Sequence, residues 1–363
     1  MSPARRGVFD RVPSSVRLVG GAAVTLVLFL FAVQLLGTAT DAAAPTLRNV
    51  LAVVVAGDSA ALGLSWLAAY VLGNGSVVAA LSLSLFDSGL VSAPRLFLLV
   101  AGSRLGAAAI VVFIGALDFV QKDRYSLQEG VSMGLLTFLV THTIYLPATV
   151  VGYVALPWVV RPVAPGDGVP DIDGGPTLVP EVCAAVTDTI GALPTFLLAV
   201  AMLFGSLQLF DRLLGSVETP ALRDSVFRHF KRRWLSFAIG LGITTLTTSV
   251  AFSLGVIVPL YNREYIEREE LVPYVLGANI GTLFDALVVA LLLPTAVGAT
   301  AVLLLLGLST LVTLVALVGH DRYVAAIERV DDRLVEDRTA FVAFAVLLVV
   351  VPVALILAPL VVA

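Results

Sequence analysis

The sequence predicts an all-α integral membrane protein with two inverted repeats, each containing a re-entrant helical hairpin, and a C-terminal transmembrane helix. The first observation is composition: apolar residues make up 59% of the chain, charged residues only 13%, and the mean hydropathy is +1.01. A soluble domain carries about 25% charged residues, so most of this chain cannot face water. The second observation is a set of long apolar stretches, and the third is a glycine motif that recurs in both halves.

The apolar stretches account for the predicted transmembrane helices. Each is long enough for a span of about 20 residues, and they cover 18–37, 95–118, 130–158, 188–210, 271–292, 296–318 and 340–361. Helices are favoured because the alternating ten-residue pattern of a membrane barrel is absent. The first stretch is too long for a signal-peptide core and lacks a convincing cleavage site, so we expect it to be retained.

Two other apolar stretches are interrupted and predict the hairpins. Residues 49–90 are broken at Gly57-Asp58-Ser59 and at Gly73-Asn74-Gly75-Ser76, and residues 235–260 are broken by the polar run 244–249. Non-helical backbone at membrane depth is tolerated only where it is buried in protein or lines a wet cavity. We therefore expect each stretch to dip into the membrane and return to its own side.

The distribution of basic residues supports this topology. Cytoplasmic loops next to membrane segments are enriched in Lys and Arg. With the N-terminus inside and both hairpins re-entrant, the inside loops hold 18 of the 22 basic residues. A full crossing by residues 235–260 would reduce the division to 12 inside against 9 outside. The favoured topology makes the two halves inverted, in a multi-pass protein of the cell membrane.

This topology divides the chain into six segments. They are a cytoplasmic arm (1–17), a first transmembrane repeat (18–158), an external acidic connector (159–187), a second transmembrane repeat (188–318), a cytoplasmic charged segment (319–339) and the C-terminal helix (340–363).

The glycine motif marks corresponding positions of the two repeats. Gly277-Ala278-Asn279-Ile280-Gly281-Thr282 has a weaker copy at Gly102-Ser103-Arg104-Leu105-Gly106-Ala107. Glycines among small neighbours let helix backbones approach closely or leave helical geometry. In transporters with internal duplication, the binding site lies between the two copies.

These residues resemble the type II sodium-dependent phosphate cotransporters and their prokaryotic relatives, of which the chain would be a divergent member. In that family, each half carries a glutamine and three serines in a re-entrant hairpin, followed about 28 residues later by G-A-N-I-G-T-T. Here Gly277 follows Ser249 by 28 residues, and Gly240, Thr244 and Thr248-Ser249 match the preceding pattern. The resemblance covers roughly residues 18–318.

The chain also departs from the family pattern. Neither hairpin keeps the glutamine and three serines, Leu283 replaces the second Thr of the motif, and Arg104 replaces the Asn of the first copy. The resemblance implies sodium-coupled uptake of inorganic phosphate by alternating access, without an enzymatic cofactor. A carrier for another small anion and a non-transporting homologue with a structural role stay open, as does a homodimer.

Hydroxyl and amide side chains near the interruptions are the candidate ligands. Sodium takes oxygen ligands, which hydroxyls, amides and the freed carbonyls of a broken helix supply. The second-half candidates are Thr247, Thr248, Ser249, Ser253, Asn279 and Thr282, and the first hairpin adds Asn74 and Ser76. Sodium itself is placed at Thr248, Ser249 and Asn279. The alternative is that these groups only bond neighbouring helices, and helix N-termini at the hairpin tips would favour the anion.

Ionisable residues within apolar surroundings are the second set of candidates: Asp58, Asp87, Arg104 and Asp285. A charge at mid-membrane costs about 2.5–3.5 kcal/mol on insertion scales, so such residues usually face the interior and pair. Arg104 could bind phosphate as a bidentate ligand, or pair with Asp87 or Asp58 and fill a degenerate ion site. Asp285 could add a carboxylate to the second site or pair within its helix.

Other features exclude competing classes. His142 is more readily explained as a core histidine than as a proton relay, and the single Cys183 cannot form an internal disulfide. The sequence contains no Cys/His metal spacing, phosphate-binding loop, dinucleotide fingerprint or Ser-His-Asp order. The sequence therefore indicates a secondary transporter in the lipid bilayer, neither an enzyme nor a nucleic-acid-binding protein.

Overall fold

A computed structural model describes residues 14–121, 127–163, 178–215, 232–247, 268–293 and 295–362. These residues form thirteen helices: α1 (Ser14–Val54), α2 (Asp58–Leu72), α3 (Gly75–Asp87), α4 (Ala93–Gln121), α5 (Leu127–Val160), α6 (Leu178–Ile190), α7 (Ala192–Gly215), α8 (Arg233–Thr247), α9 (Arg268–Gly281), α10 (Leu283–Leu292), α11 (Ala296–Val318), α12 (His320–Glu336) and α13 (Arg338–Val362).

Six membrane-spanning candidates lie among the described helices, judged by length and apolar composition. They are Gly20–Val54, Gly134–Val160, Ala192–Leu213, Glu269–Leu292, Ala296–Val318 and Arg338–Val361. The 269–292 segment is mostly buried within the protein, whereas α13 is the least buried of the six candidates. The α9–α10 segment is therefore central, and α13 is peripheral, packing on α2 through residues such as Pro352 and Leu355.

The first predicted hairpin consists of two short helices, α2 and α3, joined at Gly73 and Asn74. Gly73 adopts a left-handed φ of 62°, which favours glycine, and it ends α2. Asn74 then begins α3, because its side-chain oxygen accepts the backbone N–H groups of Ser76 and Val77. The arms have 15 and 13 residues, so each spans about 20 Å, less than the bilayer core of about 30 Å.

Glycines bring α4 against α2 in the first half of the chain. A Cβ on Gly102 would lie 2.5 Å from the carbonyl oxygen of Leu62, and one on Gly106 would lie 2.6 Å from Cβ of Ala69. The Ser65 hydroxyl also donates a hydrogen bond to the Leu99 carbonyl. The two backbones approach this closely only because glycine stands at both positions.

The second half repeats this helix pairing between α8 and α9. A Cβ on Gly277 would lie 2.7 Å from the backbone nitrogen of Leu241, and one on Gly281 would lie 2.8 Å from Cβ of Thr244. Gly240 likewise faces the carbonyl of Tyr274.

The two sets of contacts are related by one constant shift along the chain. Gly102 and Gly277 are 175 positions apart. The same shift relates Ala69, which contacts Gly106, to Thr244, which contacts Gly281. It also converts Leu99 to Tyr274. The recurring glycine motif is therefore a repeat of three-dimensional packing as well as of sequence.

Several boundaries differ from those expected. Helix α1 continues to Val54 through Pro45, so residues 49–54 belong to it and not to the hairpin. Part of the acidic connector is helical, because α6 begins at Leu178 and ends next to Gly191, whose φ is 96°. The predicted 271–292 span is broken into α9 and α10 at Thr282.

The charged segment after α11 forms an amphipathic helix, α12. Its buried face includes Val324 and Ile327, which join a core cluster with residues of α5, α9 and α11. Tyr323 shares a hydrogen bond of 2.7 Å with the Thr143 hydroxyl of α5, and burial raises the pKa of that tyrosine to about 12. A polar helix is thus attached along the ends of the bundle.

The close approach at Gly277 can be tested by substitution. Gly277→Ala should lower the free energy of unfolding by about 1–3 kcal/mol, because its methyl group would overlap the α8 backbone. Gly307→Ala in α11 is the matched control, since a Cβ there meets nothing within 4 Å. Thermal unfolding in detergent measures both variants, and equal melting temperatures would contradict the packing described.

Candidate functional site: a buried ion pair at a helix break

Three parts of the chain meet at the candidate site. The N-terminal end of α3, at Gly75 and Ser76, faces the middle of α4 at Arg104. Both face the break between α9 and α10, at Thr282 and Asp285. Residues from both glycine motifs therefore line one buried site.

Arg104 is the central side chain and is only 3% exposed. One terminal nitrogen, Nη1, donates to the carbonyl oxygen of Thr282 at 2.9 Å, and Nη2 donates to that of Gly75 at 3.3 Å. The Nε–H group donates to the hydroxyl of the neighbouring Ser103 at 3.3 Å. The guanidinium is thus surrounded by oxygen acceptors of the protein.

Asp285 supplies the charge that balances Arg104. Its Oδ1 lies 3.5 Å from Nη2 of Arg104, and it too is 3% exposed. The Ser76 hydroxyl donates to Oδ2, and the backbone N–H of Ala286 donates to Oδ1. A buried ion pair survives only when further hydrogen bonds satisfy both groups, and this pair has them.

The predicted pairing of Arg104 with Asp87 or Asp58, one of two roles considered for this residue, was wrong. Arg104 pairs with Asp285 of the other repeat, and neither Asp58 nor Asp87 takes that place. Asp58 lies at the start of α2, where it pairs with Arg95 at 3.4 Å and accepts the Tyr153 hydroxyl. The physical reason is that α2 and α3 carry these aspartates at their outer ends, whereas Arg104 lies level with the hairpin tip.

The same contacts bear on the phosphate-ligand alternative for Arg104. Both terminal nitrogens of its guanidinium donate to protein oxygens in this structure. In this arrangement its fork faces the protein and not a bound anion.

The helix break at Thr282, between Gly281 and Leu283, is local: Thr282 keeps right-handed helical φ and ψ angles of −68° and −19°, and its N–H donates to the Ala278 carbonyl at 3.2 Å. The Thr282 hydroxyl donates to the Asn279 carbonyl at 2.7 Å, and the Tyr145 hydroxyl donates to that same carbonyl at 2.6 Å. The Thr282 carbonyl receives Arg104. Backbone groups that a helix break would leave unpaired are therefore satisfied from α4 and α5, as a dry interior requires.

Asn279 is buried, and both ends of its side-chain amide have partners. Its Nδ2 group donates to the Val275 carbonyl at 3.0 Å, and its Oδ1 accepts the Thr141 hydroxyl at 2.9 Å. These contacts hold the side chain of Asn279, a residue of α9, against α5.

The remaining candidates fall into two groups. Asn74 caps α3 through its side-chain oxygen, so two of the first N–H groups of that helix are already occupied. The expected open anion site at this tip is thus partly filled by the protein itself. Thr247 is buried at the end of α8, while Thr248, Ser249 and Ser253 lie outside the described residues.

Sequence reasoning missed Thr141 and Tyr145 and placed Asp285 only loosely. The flanking run Thr141-His142-Thr143 was a visible polar cluster in an apolar helix, and its first hydroxyl reaches Asn279. His142 itself stacks on Phe138 with ring centroids 3.7 Å apart and bonds the Phe138 carbonyl through Nδ1. These contacts are those of a core histidine.

A cavity of about 160 Å³ borders Asp285. It lies among α1, α7, α8 and α10, and its lining is mostly apolar except for Thr25, Ser206 and Asp285. The buried carboxylate therefore borders open space as well as the ion pair.

The fold and the site together define the class: a multi-pass helical membrane protein with a polar, charge-bearing site at a helix break between two repeated units. The family model described as Na+/Pi-cotransporter matches residues 201–350. The matched segment contains α8–α12, the helix break and Asp285. No curated protein and no solved structure matches the chain.

The ion pair predicts an uneven effect of removing two aspartates. Asp285→Ala should lower the free energy of unfolding by about 3–5 kcal/mol, because Arg104 would stay buried without its counter-charge. Asp87→Ala is the control, since this aspartate is exposed at the end of α3, and it should change stability by no more than about 0.5 kcal/mol. Unfolding by SDS titration in mixed micelles compares them. A small effect of Asp285→Ala would show that the pair is unimportant for stability.

Proposed function

We propose that this protein is a sodium-coupled symporter of inorganic phosphate that works by alternating access. The observation that carries the proposal is the break at Thr282, which lies within the family-matched segment and faces the tip of the first hairpin. Discontinuous helices at the interface of internal repeats are where secondary transporters bind substrate and coupling ions. The choice of phosphate rests on the family description.

The two repeats would be inverted in the membrane, with the N-terminus in the cytoplasm. The basic residues support this orientation, since 18 of 22 then lie inside. The short arms of α2 and α3 support a hairpin that enters and leaves at one face. Alternating access would move one repeat against the other around the site at Thr282.

Sodium would bind on the second-repeat side of the break. The proposed ligands are hydroxyl, amide and carbonyl oxygens of Thr247, Thr248, Ser249, Ser253, Asn279 and Thr282. Asn279 accepts hydrogen bonds from Thr141 and Tyr145 of α5, and the Thr282 hydroxyl donates to the Asn279 carbonyl, so these ligands would be preorganised. Rigid positioning of ligands reduces the entropy lost when an ion binds.

Phosphate would bind near the same hydroxyls and not at the tip of α3. Asn74 already occupies the first N–H groups of α3, and Arg104 is bonded to protein oxygens. Donors for the anion would therefore come from the second hairpin that the sequence predicts, through residues such as Thr248 and Ser249. The cavity next to Asp285 would leave space for movement of the helices that line it, α1, α7, α8 and α10.

Uptake of labelled phosphate into proteoliposomes tests this function. Uptake should require an inward sodium gradient and should fall to background when choline replaces sodium on both sides. A tenfold excess of unlabelled sulfate in a parallel sample should leave uptake intact. Inhibition by sulfate would indicate a broader anion carrier, and no uptake under any cation gradient would contradict the proposal.

A pair of threonine variants tests the location of the site. Thr282→Val should reduce sodium-dependent uptake about tenfold, the effect expected from loss of one well-placed oxygen ligand. Thr300→Val is the matched control, because the Thr300 hydroxyl bonds the Ala296 carbonyl of its own helix at 2.8 Å. Its uptake should stay within about twofold of wild type. Equal uptake by both variants would place the site elsewhere.

A further inference from the structure

The two glycine motifs differ at one position that matters for charge. The shift of 175 positions that relates their packing also relates Arg104 to Asn279. Asn279 bonds within its own half and with α5. Arg104 instead extends across to the other repeat, where it contacts the Thr282 carbonyl and Asp285. Of these two equivalent positions, only position 104 therefore carries a positive charge.

The groups around the guanidinium are the ligands that a small hard cation would take. They are the backbone carbonyls of Thr282 and Gly75, the carboxylate of Asp285 and the hydroxyl of Ser103. The Ser76 hydroxyl is bonded to the same carboxylate. Oxygen atoms of the helix break, the hairpin tip and Asp285 therefore surround one position. The guanidinium of Arg104 occupies that position.

We propose that the Arg104 guanidinium is a tethered cation that occupies a monovalent-cation site formed by Asp285 and the Thr282 and Gly75 carbonyls. In wild-type protein this site binds no mobile ion, because a covalently attached charge cannot exchange. Replacing Arg104 by a neutral, shorter side chain would empty the site, and sodium would then enter to balance Asp285.

The charge balance of the buried site explains this expectation. Asp285 is almost completely buried, and an isolated carboxylate at such depth is strongly disfavoured. Once Arg104 is neutral, a cation bound at the Asp285 carboxylate restores the balance. The cavity of about 160 Å³ also borders this carboxylate.

The experiment counts sodium ions bound by the purified full-length protein in detergent. Binding of ²²Na⁺ is measured at pH 8.5, with choline chloride holding the ionic strength constant. Arg104→Asn, which installs the residue of the equivalent position 279, should bind one more sodium ion per chain than wild type. Its melting temperature should also rise with sodium more steeply than that of wild type, since a ligand stabilises the state that binds it.

Two companion variants make the count specific. Arg104→Lys keeps a tethered cation and should bind the same number of sodium ions as wild type. Arg104→Asn combined with Asp285→Asn removes both charges and should lose the additional ion. Arg104→Gln replaces Arg104→Asn if the shorter side chain prevents folding, and the same gain is expected of it.

The results separate this inference from the proposed transport function. It relies on that function only for the choice of sodium, and direct binding requires neither phosphate nor transport. A folded Arg104→Asn or Arg104→Gln protein that binds as many sodium ions as wild type would overturn it. An additional ion that persists in the doubly substituted protein would also overturn it, because Asp285 would not be a ligand.

Discussion

The buried pair of Arg104 and Asp285 is the interaction around which the site is organised. Each side chain is 3% exposed, and removing such charges from water costs several kcal/mol per ion unless their hydrogen bonds are satisfied. The pair therefore requires the Gly75 and Thr282 carbonyls and the Ser76 hydroxyl to lie where they do. This requirement fixes the first hairpin, α4 and the α9–α10 break relative to one another.

Close helix packing makes that arrangement possible. Arg104 lies between Gly102 and Gly106, which allow α4 to approach α2, while Gly277 and Gly281 do the same for α9 and α8. Association of helices in lipid relies on such backbone approach, because apolar side chains gain little by leaving lipid for each other. The two copies of the motif pack alike, but one carries an amide and the other a guanidinium. The asymmetry of the site therefore lies in these side chains and not in the helix packing.

The position of the helix break within the bundle has a related cause. The 269–292 segment is the most buried of the membrane-spanning candidates among the described residues. Only there can neighbours such as Tyr145 and Arg104 supply hydrogen bonds to freed carbonyl groups. On a peripheral helix such as α13, the same break would expose backbone polar groups to lipid. The segment that the Na+/Pi-cotransporter family model matches includes this break.

The sequence alone determined the properties that depend on local composition. Apolar length predicted α11 at 296–318 with its observed ends, and the glycine and polar interruptions predicted the turn at Gly73 and Asn74. Local rules were less successful at helix ends: α1 continues beyond the predicted stretch 18–37 to Val54, and the predicted connector is helical from Leu178. Only the tertiary structure decided that Arg104 pairs with Asp285 and that Asn279 is held by Thr141. Those residues are between 138 and 181 positions apart, and the partner of a buried charge is set by which helices pack together, which spacing along one chain does not specify.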